Sequence, residues 1–173
     1  MRNPCQIFKR RMIDVDCIKE KIKNMLDNEE LLIDYGVFTN ELKDICYFVI
    51  DDEDEINELE LILTYIKATD KNAQIFCSTY GVDNTEKEPY IYCDNLWICS
   101  NIFTVKTIQE LFAQFDTAGN DLRTLVPSSV MVLSNEDIDE NLVYYIDGDC
   151  ILHKYVDESP IKDANNILSI YWD

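Results

Sequence analysis

Seven carboxylates and no basic residue fall within ten positions of one stretch of this sequence: Asp51, Asp52, Glu53, Asp54, Glu55, Glu58 and Glu60. Carboxylates so crowded can ligate a cation, share a proton as a catalytic pair, or hold a negative field against a cationic partner. A calcium loop needs alternating oxygen ligands around a glycine, whereas Asp51–Glu55 are consecutive and contain none. Pairing for acid–base work gains nothing from residue type, since a chain with 34 Asp and Glu residues brings some of them together in any fold. The third option suits the whole chain, in which 15 Lys and Arg oppose those 34 acids for a net charge of −19.

The remaining reactive side chains are sparse. Seven cysteines (Cys5, Cys17, Cys46, Cys77, Cys93, Cys99 and Cys150) accompany a single histidine, His153. A cysteine nucleophile needs a base within hydrogen-bond reach. Cys150 stands three residues from His153 on one predicted strand, where odd offsets point to opposite faces. The thiols sit mostly in apolar runs such as Ile45-Cys46-Tyr47-Phe48, and they read as buried, reduced thiols of a cytoplasmic protein. No C-x-x-C pair marks a zinc site, and neither a dinucleotide fingerprint nor a phosphate loop is present. The expectation is a protein with no cofactor, no metal and no catalytic residues.

Charge narrows the partner. Residues 1–23 carry +4 and residues 24–173 carry −23. Such a surface repels nucleic acid and anionic membranes and attracts a basic protein. Candidate contact residues are the seven acids of the run together with Tyr80, Tyr90 and Tyr92, which flank the polar stretch Gly81–Pro89, and Asp147 and Asp149. Tyrosines are frequent interface anchors, although strand alternation sends about half of them to a core. Glu136–Glu140 is a rival acidic segment.

The elements that would carry these residues follow from periodicity. Asp14 or Asp16 can cap a helix reaching Leu26, and Leu31–Phe38 reads as a strand with a bend at Gly36. Ile45–Ile50 is an unbroken apolar run, expected as a central strand buried on both faces. Ile56, Leu59, Ile62, Leu63 and Ile66 then mark one face of a helix over Asp54–Ala68, whose first turn holds four of the acids and benefits from them through the helix dipole. Ala73–Thr79 is a strand. Tyr90–Cys93 and Leu96–Cys99 flank a break at Asp94-Asn95, and Thr104 caps a helix over Val105–Phe115. Val130–Leu133 is a short strand, and Ser134 opens a capping box with little apolar sequence behind it. Leu142–Ile146 and Cys150–Val156 flank Asp147-Gly148-Asp149 as a hairpin. Ile167–Trp172 closes the pattern as a strand. The sum is a single α+β domain over 1–173, with a mixed or mostly antiparallel sheet of about five to seven strands and about three helices. Residues 1–12 would form a basic N-terminal arm. No run of about 18 apolar residues is available for a membrane helix.

The segment Pro89-Tyr90-Ile91-Tyr92-Cys93-Asp94-Asn95-Leu96-Trp97-Ile98, leading into the Leu111-Phe112 helix, resembles immunity proteins of bacterial polymorphic-toxin and contact-dependent growth inhibition systems. Compact size, acidity and lack of catalytic motifs extend the resemblance to general character, and no functional residue carries over from it. It implies a cytoplasmic inhibitor, monomeric by preference, that neutralises a cognate basic toxin such as a nuclease by covering its active or substrate-binding surface. A phage-encoded inhibitor or a DNA mimic would have the same features. A small enzyme or ligand-binding domain, with a pocket formed only in the fold, and a self-associating structural protein are the readings from other classes.

Overall fold

The computed structural model describes residues 20, 30–80, 91–114, 125–155 and 160–173. The expected helix before Leu26, the basic arm and the loop between Tyr80 and Tyr90 therefore lie outside the described residues, apart from Glu20.

Seven strands build the main sheet: β1 (Glu30–Asp34), β3 (Gln74–Tyr80), β5 (Asn95–Ser100), β6 (Ser129–Val132), β7 (Leu142–Ile146), β8 (Leu152–Lys154) and β9 (Asn166–Tyr171). Their order is β6–β9–β5–β3–β1–β7–β8. Every neighbouring pair is antiparallel except β1 with β7. Two further short strands, β2 (Cys46–Phe48) and β4 (Ile91–Cys93), pair in parallel as a separate ribbon. With helices α1 (Glu53–Thr69), α2 (Val105–Ala113) and α3 (Asn135–Asn141), the fold is the α+β arrangement on a mixed sheet that the sequence led us to expect.

Strand alternation feeds two cores. Leu31 and Ile33 of β1, Ile75 and Cys77 of β3, and Leu96 and Ile98 of β5 face one side. There they meet Leu59, Ile62, Leu63 and Ile66 of α1 and Ile108 and Phe112 of α2. Leu32, Phe76, Trp97, Tyr145 and Ile167 face the other side, with Ile138 of α3 and Ile161. Because both faces are covered, Tyr145 is buried in the second core while Tyr144 packs against the first.

Three local expectations are corrected. β1 stops at Asp34, where the carboxylate accepts the N–H groups of Gly36 (2.9 Å) and Val37 (3.3 Å). The chain there turns into a π-helical turn, Val37–Glu41, that buries Val37 and Phe38, and Gly36 is helical rather than a bulge. The strand also begins one residue before the expected Leu31, at Glu30, which is buried and accepts a hydrogen bond from the Ser78 hydroxyl. Ile45–Ile50 is no central strand. Only Cys46–Phe48 is extended, it pairs with β4 alone, and Tyr47 points outward. Ile45, Cys46 and Ile50 reach the first core from its rim, so their apolar run records burial without sheet membership.

The hairpin is present, but its positive φ falls on Cys150 (62°) rather than on Gly148. Cys150 N–H closes a turn on the Asp147 carbonyl at 3.0 Å. A left-handed residue following such a turn is the three-residue-loop solution for a hairpin.

Candidate functional site

The acidic run sits where a strand ribbon hands over to α1. Asp52 is the N-cap: its carboxylate accepts the N–H groups of Asp54 (3.0 Å) and Glu55 (3.2 Å). Two of the donors left over at a helix start are thereby satisfied. Glu53, Asp54 and Glu55 occupy the first turn, where the helix dipole favours negative charge. Asp51, Asp52, Glu53 and Asp54 are exposed, Glu55 and Glu58 are half-buried and Glu60 is exposed.

At 100° per residue these side chains do not form one patch. Glu60 turns to one flank of α1, where it lines a cavity of about 410 Å³ with Asp34, Tyr35, Asn40, Thr64 and Lys67. Asp54 and Glu58 turn to the other flank, which continues into Leu61 and Tyr65. Asp51 precedes the helix, on the link from the ribbon, and is exposed. Tyr92 lies in that ribbon in register with Tyr47, and both rings are about half exposed, at 49% and 54%.

Around that ribbon the groups feel one another. The Tyr92 hydroxyl is held above its usual range by partial burial and then by the charges of Asp94, Cys93, Tyr171 and Asp51. Asp94 is raised by burial against an opposing backbone hydrogen bond, with Asp173 adding repulsion. Tyr171 is raised by Asp173, then by burial and Asp94. Asp51, Asp94 and Asp173 thus share a surface with Tyr92 and Tyr171. Among the predicted contact residues, Asp51 and Tyr92 are near enough for the Asp51 charge to be felt at the Tyr92 hydroxyl. Only the backbone of Tyr80 is described, and Tyr90 lies outside the described residues.

The predicted hairpin acids belong to different surroundings. Asp147 has a structural role: it accepts N–H groups from Ile151 (2.9 Å) and Asp149 (3.0 Å) and pairs with His153 Nε2 at 2.7 Å. Burial opposes its charge, but the hydrogen bonds from Ile151, His153 and Asp149 and the proximity of His153 outweigh it and hold the carboxyl below its ordinary value. The His153 ring stacks on Tyr145, with centroids 4.8 Å apart and planes 16° apart. Asp149 is exposed. A Cβ placed on Gly148 would lie 3.6 Å from Asp34 Oδ2, so the hairpin abuts the Asp34 end of the cavity that Glu60 lines.

Nucleophilic chemistry finds little footing in the described thiols. Cys46, Cys77, Cys93, Cys99 and Cys150 are free. Burial pushes the thiols of Cys46 and Cys77 well up, that of Cys99 to about 12 and that of Cys150 to about 11. These four are neutral thiols near pH 7. Among the described residues no three His, Cys, Asp or Glu side chains are grouped to hold a metal ion, and no helix is long and apolar enough to cross a membrane.

Sequence reasoning missed three exposed apolar side chains beside the acids: Leu61 (64% exposed), Tyr65 (54%) and Ile102 (53%). The signal for the first two was present. Leu61 and Tyr65 fall outside the phase set by Leu59, Ile62, Leu63 and Ile66, and they follow Asp54 and Glu58 along one stripe of α1. Compared with family models, curated proteins and solved structures, the chain matches none.

Proposed function

We propose that this chain is an acidic protein-binding inhibitor that engages a basic partner through the start of α1. Following the resemblance of its sequence, we propose that the partner is the cognate toxin of a polymorphic-toxin or contact-dependent inhibition system, a nuclease being the class whose basic cleft fits best. One observation carries this reading: Asp51, Asp52, Glu53 and Asp54 project as exposed carboxylates from a capped helix end, and the strand that leads into that helix pairs Tyr47 with the half-exposed Tyr92. Fixed carboxylates steer a cationic partner into encounter, and an aromatic ring next to them supplies the contact that slows release. The proposed setting is the cytoplasm, where such a toxin acts.

The experiment is co-purification with the product of the adjacent reading frame, followed by stopped-flow association at rising salt. Association that slows steeply with salt, and falls about tenfold or more in the combined variant Asp51→Asn, Glu53→Gln, Asp54→Asn, supports the reading. Asp52 is left intact so that helix capping is not disturbed. An association rate indifferent to salt and to these substitutions overturns it.

A second reading, small-ligand binding, is favoured by the 410 Å³ cavity with the carboxylates of Asp34 and Glu60 and the amine of Lys67 on its wall. Asp34 is already engaged in capping the turn after β1. A metabolite screen by thermal shift separates the two: a stabilising ligand whose effect is lost in Lys67→Ala favours the cavity.

A further inference from the structure

We infer that the groove between α1 and α2 is a docking site for an amphipathic, basic helix of the partner: two apolar side chains one helical turn apart, flanked by Lys or Arg. This deepens the inhibitor reading and rests on it. The groove has a volume of about 310 Å³ and is walled by Tyr65 and Thr69 of α1, Ile102 and Phe103 of the connection, and Glu110 and Leu111 of α2. Leu61 stands one turn before Tyr65 and extends the apolar wall. Isolated exposed apolar residues are ordinary, whereas a contiguous set beside a groove marks a contact surface.

The wall is held in place from below. Asp70, buried at the end of α1, accepts the Ser100 hydroxyl at 2.7 Å and the Asn101 N–H at 3.0 Å. Ser100 Oγ in turn accepts the N–H groups of Ile102 (3.0 Å) and Phe103 (3.1 Å). The Phe103 ring meets Tyr65 edge to face, with centroids 6.4 Å apart. Ile102 is therefore exposed on a backbone fixed by hydrogen bonds, and a partner pays little to order it.

Charge selects the occupant. Asp54 and Glu58 continue the Leu61–Tyr65 stripe towards the helix start, and Glu110 faces it from α2. Lys106 is one turn from Glu110, in an exposed pair at 3.7 Å that is weak in water. A cleft between two helices receives a third helix by its i, i+3/i+4 apolar face, and acids on both banks suit Lys or Arg flanking that face. A second copy of this chain would bring −19 against −19 and set these same acids against each other.

The test titrates a synthetic Leu/Lys helix, with all Leu on one face, into the isotope-labelled full chain and follows amide shifts. A scrambled peptide of identical composition, lacking the apolar face, is the control for charge alone. Expected are shifts centred on Leu61, Tyr65, Ile102 and Glu110, binding at least about tenfold weaker for the scrambled peptide, and a similar loss in the double variant Leu61→Ser, Ile102→Ser. Leu61→Ser alone gives a smaller loss of the same sign and stands in should the pair disturb folding. Equal binding of the two peptides, or shifts centred on Tyr47 and Tyr92, overturns the site. Concentration-dependent broadening of the groove residues without peptide identifies a second copy as occupant and also overturns it. With the cognate partner, loss of binding in the Asp51/Glu53/Asp54 charge variant but not in Leu61→Ser, Ile102→Ser removes the groove and leaves the inhibitor reading standing. Loss in neither removes both, and loss in both supports the groove.

Discussion

Asp70 ties more of this molecule together than any carboxylate in the acidic run. It accepts from Ser100, Asn101 and Asn72, and its own N–H caps α1 on the Ile66 carbonyl. The Ser100 hydroxyl first, and then the amides of Asn101, Asn72 and Ala73, hold its carboxyl below the ordinary value against the opposing effect of burial. A carboxyl depressed in the folded state stabilises above its unfolded pKa, and the contribution is lost as pH falls through the folded one. Asp70→Ala strands one buried donor, the Ser100 hydroxyl, and removes the acceptor of two part-buried amides, and at roughly 1–3 kcal/mol for the buried group it is expected to cost about 3 kcal/mol at pH 7. In urea titrations the gap between wild type and variant should narrow as pH falls below the ordinary carboxylate range and through the lowered folded value; a gap independent of pH would mean that the carboxylate charge contributes nothing. None of this was visible in the sequence, because the partners Asp70 and Ser100 stand 30 residues apart and meet only in the fold. The capping box of Ser134 with Asp137 was visible, because donor and acceptor there are three residues apart.

At the scale of elements, α1 shows what the acids do locally. Asp52→Ala should lower stability by about 1 kcal/mol through loss of the cap, whereas Asp52→Asn should lose a few tenths, since asparagine caps nearly as well. Chemical denaturation followed by circular dichroism distinguishes them, and equal losses would assign the effect to charge rather than to capping. The helix was legible to within a residue because its apolar phase and its cap agree. The ribbon was not: β2 and β4 are three residues each, and the register partners Cys46 and Ile91 stand 45 positions apart, a pairing no local pattern encodes. The exposed stripe Leu61–Tyr65 lies outside the core phase of the helix, yet its apolar letters, set among those that fill the core, hid it.

The whole molecule carries a charge that opposes its own compactness. Raising salt from about 10 to about 150 mM shortens the screening length from about 30 to about 8 Å, and the melting temperature should rise by a few degrees. Scanning calorimetry checks this, and a falling melting temperature would show that local ion pairs outweigh the net repulsion. Sheet order is the other global property beyond the reach of periodicity, which proposes strands but not neighbours. β9 is the clearest case: it lies between β5 and β6, and β6 joins the sheet through β9 alone. Trp172, just beyond it, is buried, with its ring against Phe48 and Phe112 and its indole N–H on the Leu125 carbonyl at 2.9 Å. During synthesis the chain emerges from its N-terminal side, so β5 and β6 leave the ribosome before the strand that must separate and join them. A nascent chain halted short of Asn166 carries one bare edge on β5 and a stranded β6, a substrate for proteases and for aggregation. Residues 166–171 therefore do two things at once: they cover the bare edge of β5 and give β6 the only strand it can join among the described residues.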